Sequence, residues 1–107
     1  MRLPVVFQPE AKNQILAAFR WWAEHRSDEQ ADRWYVEIMR AIETLGETAD
    51  RYPLARENEH FNFDLKVMNF GVSGRPTHRV LFTTTSENVE VLSVRHVAQA
   101  DVTPDDL

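Results

Sequence analysis

The hydrophobic period of the sequence changes once, near residue 64, and this change constrains the fold more than any other feature. Before it, apolar side chains recur at helical spacing in two stretches, 10–25 and 27–45. After it, three short runs rich in Val, Phe, Leu and Thr are typical of β-strands, at 64–72, 78–85 and 89–96. The chain therefore combines a helical half with a sheet half.

The helical half predicts a hairpin of two antiparallel helices. Pro9 suits the first turn of the first helix. Ser27 and Gln30 have the S-x-x-Q spacing of a capping box, which predicts that the second helix begins at this point. Gly46 follows the second apolar stripe and is predicted to end that helix as its C′ residue. Few residues separate the two stripes, so we expect the helices to pack side by side.

The sheet half predicts an antiparallel meander, because turn residues at 73–76 and 86–88 separate its three runs. A short strand at 3–7 is expected at an edge or at a strand start, since Pro4 cannot donate to a ladder. The helix hairpin cannot bury its apolar stripes alone and must cover one face of the sheet. We expect residues 1–107 to form a single two-layer α+β domain whose other sheet face is open.

Composition narrows the classes of function. The 107 residues include no Cys, which excludes disulfides and thiolate chemistry and fits a cytoplasmic protein. The four His are too scattered to predict a metal site, no Gly-rich phosphate loop is present, and we expect no cofactor. No apolar run is long enough to cross a membrane. The net charge of −5 is concentrated in residues 1–50 and 101–107, whereas residues 51–100 are slightly basic.

Three charged or titratable residues within the strands are the candidate site. Lys66, Arg79 and His96 are predicted to meet on the open sheet face, with Arg95 as an alternative to His96. Arginine can hold a phosphate with two hydrogen bonds, and histidine can move a proton near neutral pH. This cluster would suit a phosphodiester, although solvated side chains on an open sheet face are the simpler interpretation of each residue alone.

The three tryptophans have different predicted roles. Trp22 and Trp34 follow the helical stripes and are expected in the core. Trp21 lies off the main stripe and is either a contact for a partner or a flank of the core. The long segment 47–63 has no clear period, and loops of this length are usually functional or mobile.

In its order of elements and in several segments, the chain resembles the RelE/ParE toxins of type II toxin–antitoxin (plasmid stabilisation) systems. The similarity extends from about residue 7 to about residue 99, and the sequences R-V-L-F at 79–82 and V-R-H at 94–96 carry most of it. The other matching segments are 21–24, 31–34, 41–45, 54–57 and 65–66. The resemblance implies a small toxin that a cognate antitoxin keeps inactive.

The resemblance also implies two mechanisms. RelE-like members cleave mRNA on the ribosome, and in that branch Lys66 and Arg79 would hold the scissile phosphate while His96 acts as general acid or base. ParE-like members inhibit DNA gyrase. Glu57 matches a recurrent Pro-Glu position, but Arg56 precedes it here, and we assign Glu57 no catalytic role.

Two further features separate the chain from typical ribosome-directed members. Its net charge is −5, and Val97 follows the histidine where some ribonucleases have an aromatic residue. Three functions stay open: an mRNA endoribonuclease, a gyrase inhibitor, and a degenerate, non-toxic interaction module. The assembly, as a homodimer or a toxin–antitoxin hetero-oligomer, is open as well.

Overall fold

A computed structural model describes residues 2–107 and has an α+β fold. A strand and a helix hairpin are followed by a short helix and then by the three strands of the meander. The elements are β1 (Val5–Phe7), α1 (Pro9–His25), α2 (Asp28–Glu43), α3 (Leu45–Thr48), β2 (Lys66–Phe70), β3 (His78–Thr84) and β4 (Val89–His96). Short 3-10 turns lie at Ala49–Arg51, Asn58–His60 and Pro104–Asp106. Within residues 2–107, no helix has both the length and the apolar character that a membrane span requires.

The four strands form one sheet in the order β1-β4-β3-β2. β2, β3 and β4 pair antiparallel, which confirms the predicted meander. β1 pairs in parallel with β4 at the sheet edge, as expected for a strand separated from its neighbour by a helical crossover. The position of Pro4 just before this edge strand is confirmed, and its carbonyl oxygen accepts the N–H of Val89 at 2.9 Å.

The helix hairpin covers one face of the sheet and forms the main core. Trp34, Ile38 and Ile42 of α2 are buried together against Val80 and Phe82 of β3. The predicted cap is present, because the Ser27 side-chain oxygen accepts the N–H of Gln30 at 3.0 Å. Trp22 is half-buried at the margin of this core, whereas Trp21 is 46% exposed.

The other face of the sheet is covered rather than open, which corrects the prediction. Leu81 and Leu92 point away from the helices and pack with Leu65, Ala55 and Val102 in a second apolar cluster. These partners come from the segment after α3 and from the C-terminal tail, which fold back over β3 and β4. The strands are therefore buried on both faces, as their nearly continuous apolar runs are typical of.

Gly46 has a different role from the predicted helix end. α2 ends at Glu43, and Gly46 lies buried within α3. Its carbonyl oxygen accepts the N–H of Leu3 at 2.9 Å. A Cβ atom on residue 46 would lie only 2.5 Å from the Leu3 carbonyl oxygen. Glycine is required here because the chain that enters β1 passes directly against α3.

Gly46→Ala is therefore expected to lower the free energy of unfolding by about 1–3 kcal/mol, the usual cost of overpacking a tight contact. Urea denaturation followed by circular dichroism measures this change. Glu47→Ala, at the next position, removes only the exposed contact with Arg2 and should cost less than about 0.5 kcal/mol. Equal stability of Gly46→Ala and the wild type would contradict the proposed close contact.

Candidate functional site

The structure does not bring Lys66, Arg79 and His96 together on one face. In the register of β3 and β4, His96 is opposite His78. Because side chains alternate between faces, Arg79 lies on the opposite face from His78 and His96. Lys66 is paired with Phe82, four residues from His78 or about 13 Å along β3, and its Nζ donates to the carbonyl oxygen of Ala49. Their predicted meeting on a shared face is therefore wrong, and a catalytic role for the three stays a prediction.

Arg79 is held by a carboxylate to which the sequence analysis assigned no role. Its two terminal nitrogens donate to the carboxylate oxygens of Glu57 at 2.8 and 2.7 Å. The residues are 6% and 0% exposed, respectively. The backbone N–H of Val102 also donates to Glu57, at 3.1 Å. These three hydrogen bonds tie β3, the 3-10 segment and the C-terminal tail together.

The electrostatics of this pair follow from its geometry. The hydrogen bond from Arg79 lowers the pKa of Glu57 to about 2, against the opposing effect of burial. The same hydrogen bond raises the pKa of Arg79 above its ordinary value. Both groups are therefore charged near neutral pH, and each is the principal partner of the other. A usable sequence signal was the position of Arg79 beside Val80 and Leu81, since a charge among buried residues needs a partner.

The two cross-strand histidines form a second polar group, on the helix side of the sheet. Their ring centroids are 5.5 Å apart, and the buried His78 ring also packs on Trp34. Burial and, secondarily, the neighbouring His96 lower the pKa of His78 to about 4. The N–H of Ala98 donates to Nδ1 of His96 at 3.0 Å, which places the proton of the neutral His96 ring on Nε2.

A pocket of about 700 Å³ lies beside these histidines, and we name it the α1–sheet pocket. The second half of α1 forms one wall through Ala17, Trp21 and Trp22, and the ends of β3 and β4 form the other. Arg26, the residue that caps α1, contributes a guanidinium. No carboxylate is among the residues that line the pocket within the described part of the chain, 2–107. The pocket is thus mainly apolar, with a few hydrogen-bond donors.

Comparison with known proteins identifies the family. The family model for the ParE toxin of type II toxin-antitoxin system, parDE, matches residues 5–101. The chain belongs to the ParE toxin family. It is the toxin component of a type II toxin–antitoxin system, and the membership implies a cognate antitoxin as its partner. The resemblance to RelE/ParE toxins is thereby confirmed.

Solved structures confirm the fold of this ParE-family toxin. A structure of the chromosomal ParDE toxin–antitoxin system from P. aeruginosa superposes with a TM-score of 0.73 at 14% identity, over 90% of this chain and 97% of that chain. The YoeB dimer from Staphylococcus aureus superposes with a TM-score of 0.53 at 12% identity, over 90% and 98% of the two chains. A search of curated proteins finds no match.

Glu57→Gln should destabilise the toxin by about 3 kcal/mol or more at neutral pH, because it leaves the Arg79 charge buried without a counter-charge. The folded-state pKa of Glu57, about 2, lies below its ordinary 4.5. Its stabilising contribution is therefore complete above pH 4.5 and is lost as the pH falls towards 2. Urea denaturation across this range should show a flatter pH dependence for Glu57→Gln than for the wild type.

The matched control replaces both partners of the ion pair. Glu57→Leu with Arg79→Met removes both charges while filling the same space, and should recover most of the stability lost in Glu57→Gln. A loss below 1 kcal/mol in Glu57→Gln would contradict the strength assigned to the pair.

His78 predicts a second pH effect, in a higher range. Its folded-state pKa, about 4, lies below the ordinary 6.5, so protonation opposes folding. Its contribution to stability is complete above pH 6.5 and falls by at most about 1.4 kcal/mol per pH unit as the pH drops towards 4. His78→Gln should remove this part of the pH dependence of unfolding. His60→Gln, at an exposed histidine, is the control, and equal slopes for both variants would contradict the assignment.

Proposed function

We propose that this toxin inhibits growth by binding DNA gyrase through protein contacts and does not cleave mRNA. The observation that carries the proposal is the ion pair between Arg79 and Glu57. In the ribonuclease interpretation, Arg79 would hold a scissile phosphate. Its guanidinium instead makes two hydrogen bonds to a buried carboxylate and is itself 6% exposed.

Freeing Arg79 for a phosphate would be costly. Breaking a buried ion pair by removing one partner typically costs about 3–5 kcal/mol, because the other charge is left unpaired. Glu57 also accepts the N–H of Val102, so separating the pair would disturb the C-terminal tail. A phosphate would have to compensate for all of this before any bond could be cleaved.

The geometry of His96 also argues against acid–base catalysis at this position. A general base needs an unprotonated ring nitrogen directed at its substrate. The lone pair on Nδ1 of His96 is occupied by the N–H of Ala98, which leaves the neutral ring with a proton on Nε2. In this state His96 donates a hydrogen bond and does not accept a proton at Nε2.

Charge and family membership support the same proposal. A net charge of −5 repels a polyanionic ribosome at long range and slows association with it. The matching family is the ParE branch, in which the resemblance implies gyrase as the target. We infer that the toxin acts in the cytoplasm, where gyrase works, and that its antitoxin prevents this contact.

The test is to induce the toxin alone in bacteria and to measure growth, a DNA-damage reporter and the integrity of a reporter mRNA. We expect growth arrest with reporter induction and intact mRNA. In vitro, the purified toxin should inhibit the supercoiling of relaxed plasmid by purified gyrase.

The double variant Lys66→Ala with His96→Ala separates the mechanisms, since it removes two of the three residues that the ribonuclease would need. It should arrest growth as well as the wild type does. Cleaved mRNA, together with loss of toxicity in the double variant, would overturn the proposal in favour of the endoribonuclease. Normal growth on induction would favour the non-toxic interaction module.

A further inference from the structure

The α1–sheet pocket is larger and more elongated than a single side chain needs. Its α1 wall extends from Gln14 to Arg26, a rise of roughly 18 Å or more than three helical turns. A cavity of about 700 Å³ with this length matches a polypeptide segment that inserts several side chains. Amphipathic helices that lie in apolar grooves present their anchors at this kind of spacing.

The walls of the pocket favour a large apolar anchor. Trp21 is 46% exposed and stacks on the ring of His25, with centroids 4.7 Å apart. Its edge-to-face contact with Trp22 holds the indole at the pocket. A tryptophan held in this way adds apolar area without losing much side-chain freedom on binding, which is the usual property of residues that dominate an interface.

The charge of the pocket is opposite to that of the protein. The chain has 17 acidic residues and a net charge of −5, yet no carboxylate lines the pocket within residues 2–107. The pocket instead contains the Arg26 guanidinium and a neutral His96 whose Nε2 carries a hydrogen. Both groups are donors, so they complement a carboxylate of the occupant and do not complement an ammonium group.

We propose that the α1–sheet pocket binds a segment of the cognate antitoxin in which large apolar side chains stand next to an acidic residue, and that Arg26 binds this acidic residue. The apolar side chains contact Trp21 and Trp22. This inference rests on the proposed function, in which an antitoxin keeps the toxin inactive. The pocket lies on the opposite face of the sheet from Arg79, so binding does not require the ion pair with Glu57 to open.

The test uses the purified toxin and the antitoxin encoded by the adjoining reading frame, with affinity measured by isothermal titration calorimetry. R26E should weaken binding at least tenfold, roughly the value of one hydrogen bond to a charged group. R20E makes the same change at an exposed arginine of α1 that does not line the pocket, and it should leave the affinity within about twofold.

A second pair of variants tests the sign of the charge in the occupant. Ala17 is an exposed residue of the pocket wall. A17E and A17K insert side chains of similar length and opposite charge, so both fill space but only A17E repels a carboxylate. A17E should weaken binding clearly more than A17K does. Changing the acidic residue of the antitoxin to Lys should restore binding to R26E.

Growth assays separate this inference from the proposed function. Expressed without antitoxin, R26E and A17E should be as toxic as the wild type, which also shows that they fold. Coexpression of the antitoxin should rescue R20E cells and leave R26E cells arrested. Equal affinity of R26E and R20E for the antitoxin would overturn the inference. Failure of the toxin to inhibit gyrase would refute the proposed function, and the calorimetric comparison would still decide this one.

Discussion

The buried ion pair between Arg79 and Glu57 is the constraint on which the second face of the sheet depends. It joins a central strand to the segment before β2, and through Val102 it joins both to the C-terminal tail. Leu81 and Leu92 lose their cover if that segment and that tail separate from the sheet. Apolar packing supplies most of the favourable free energy at this face, whereas the ion pair fixes which two segments provide it.

The same pairing changes the meaning of the charge distribution. Counted along the sequence, residues 51–100 are slightly basic and resemble a surface for a polyanion. In the fold, Arg79 is neutralised by Glu57, and Arg56 lies 2.7 Å from Asp101 of the acidic tail. The cations of the sheet half are thus balanced by carboxylates that the tail and the loop bring to them. A local excess of charge in a sequence predicts a local field only after the partners are known.

The fold was predictable from the sequence because local signals determine most of it. The helical stripes, the Ser27 cap and the turns between the strands act over a few residues, and the structure confirms each of them. Gly46 and Glu57 were not predictable in the same way. Gly46 is required by the approach of Leu3, and Glu57 by the burial of Arg79; both contacts join residues more than 20 positions apart. Such contacts leave no period in the sequence.

The error at the candidate site has one physical cause, the register of the strands. Alternation shows which residues of one strand share a face, but only the pairing shows which face that is, and a shift of one residue reverses it. Here the register places His78, not Arg79, opposite His96. Arginine is thereby separated from the histidine with which it would handle a phosphate, and the histidines instead adjoin tryptophans at an apolar pocket. This exchange removes the conditions for phosphodiester chemistry and creates the conditions for binding a polypeptide.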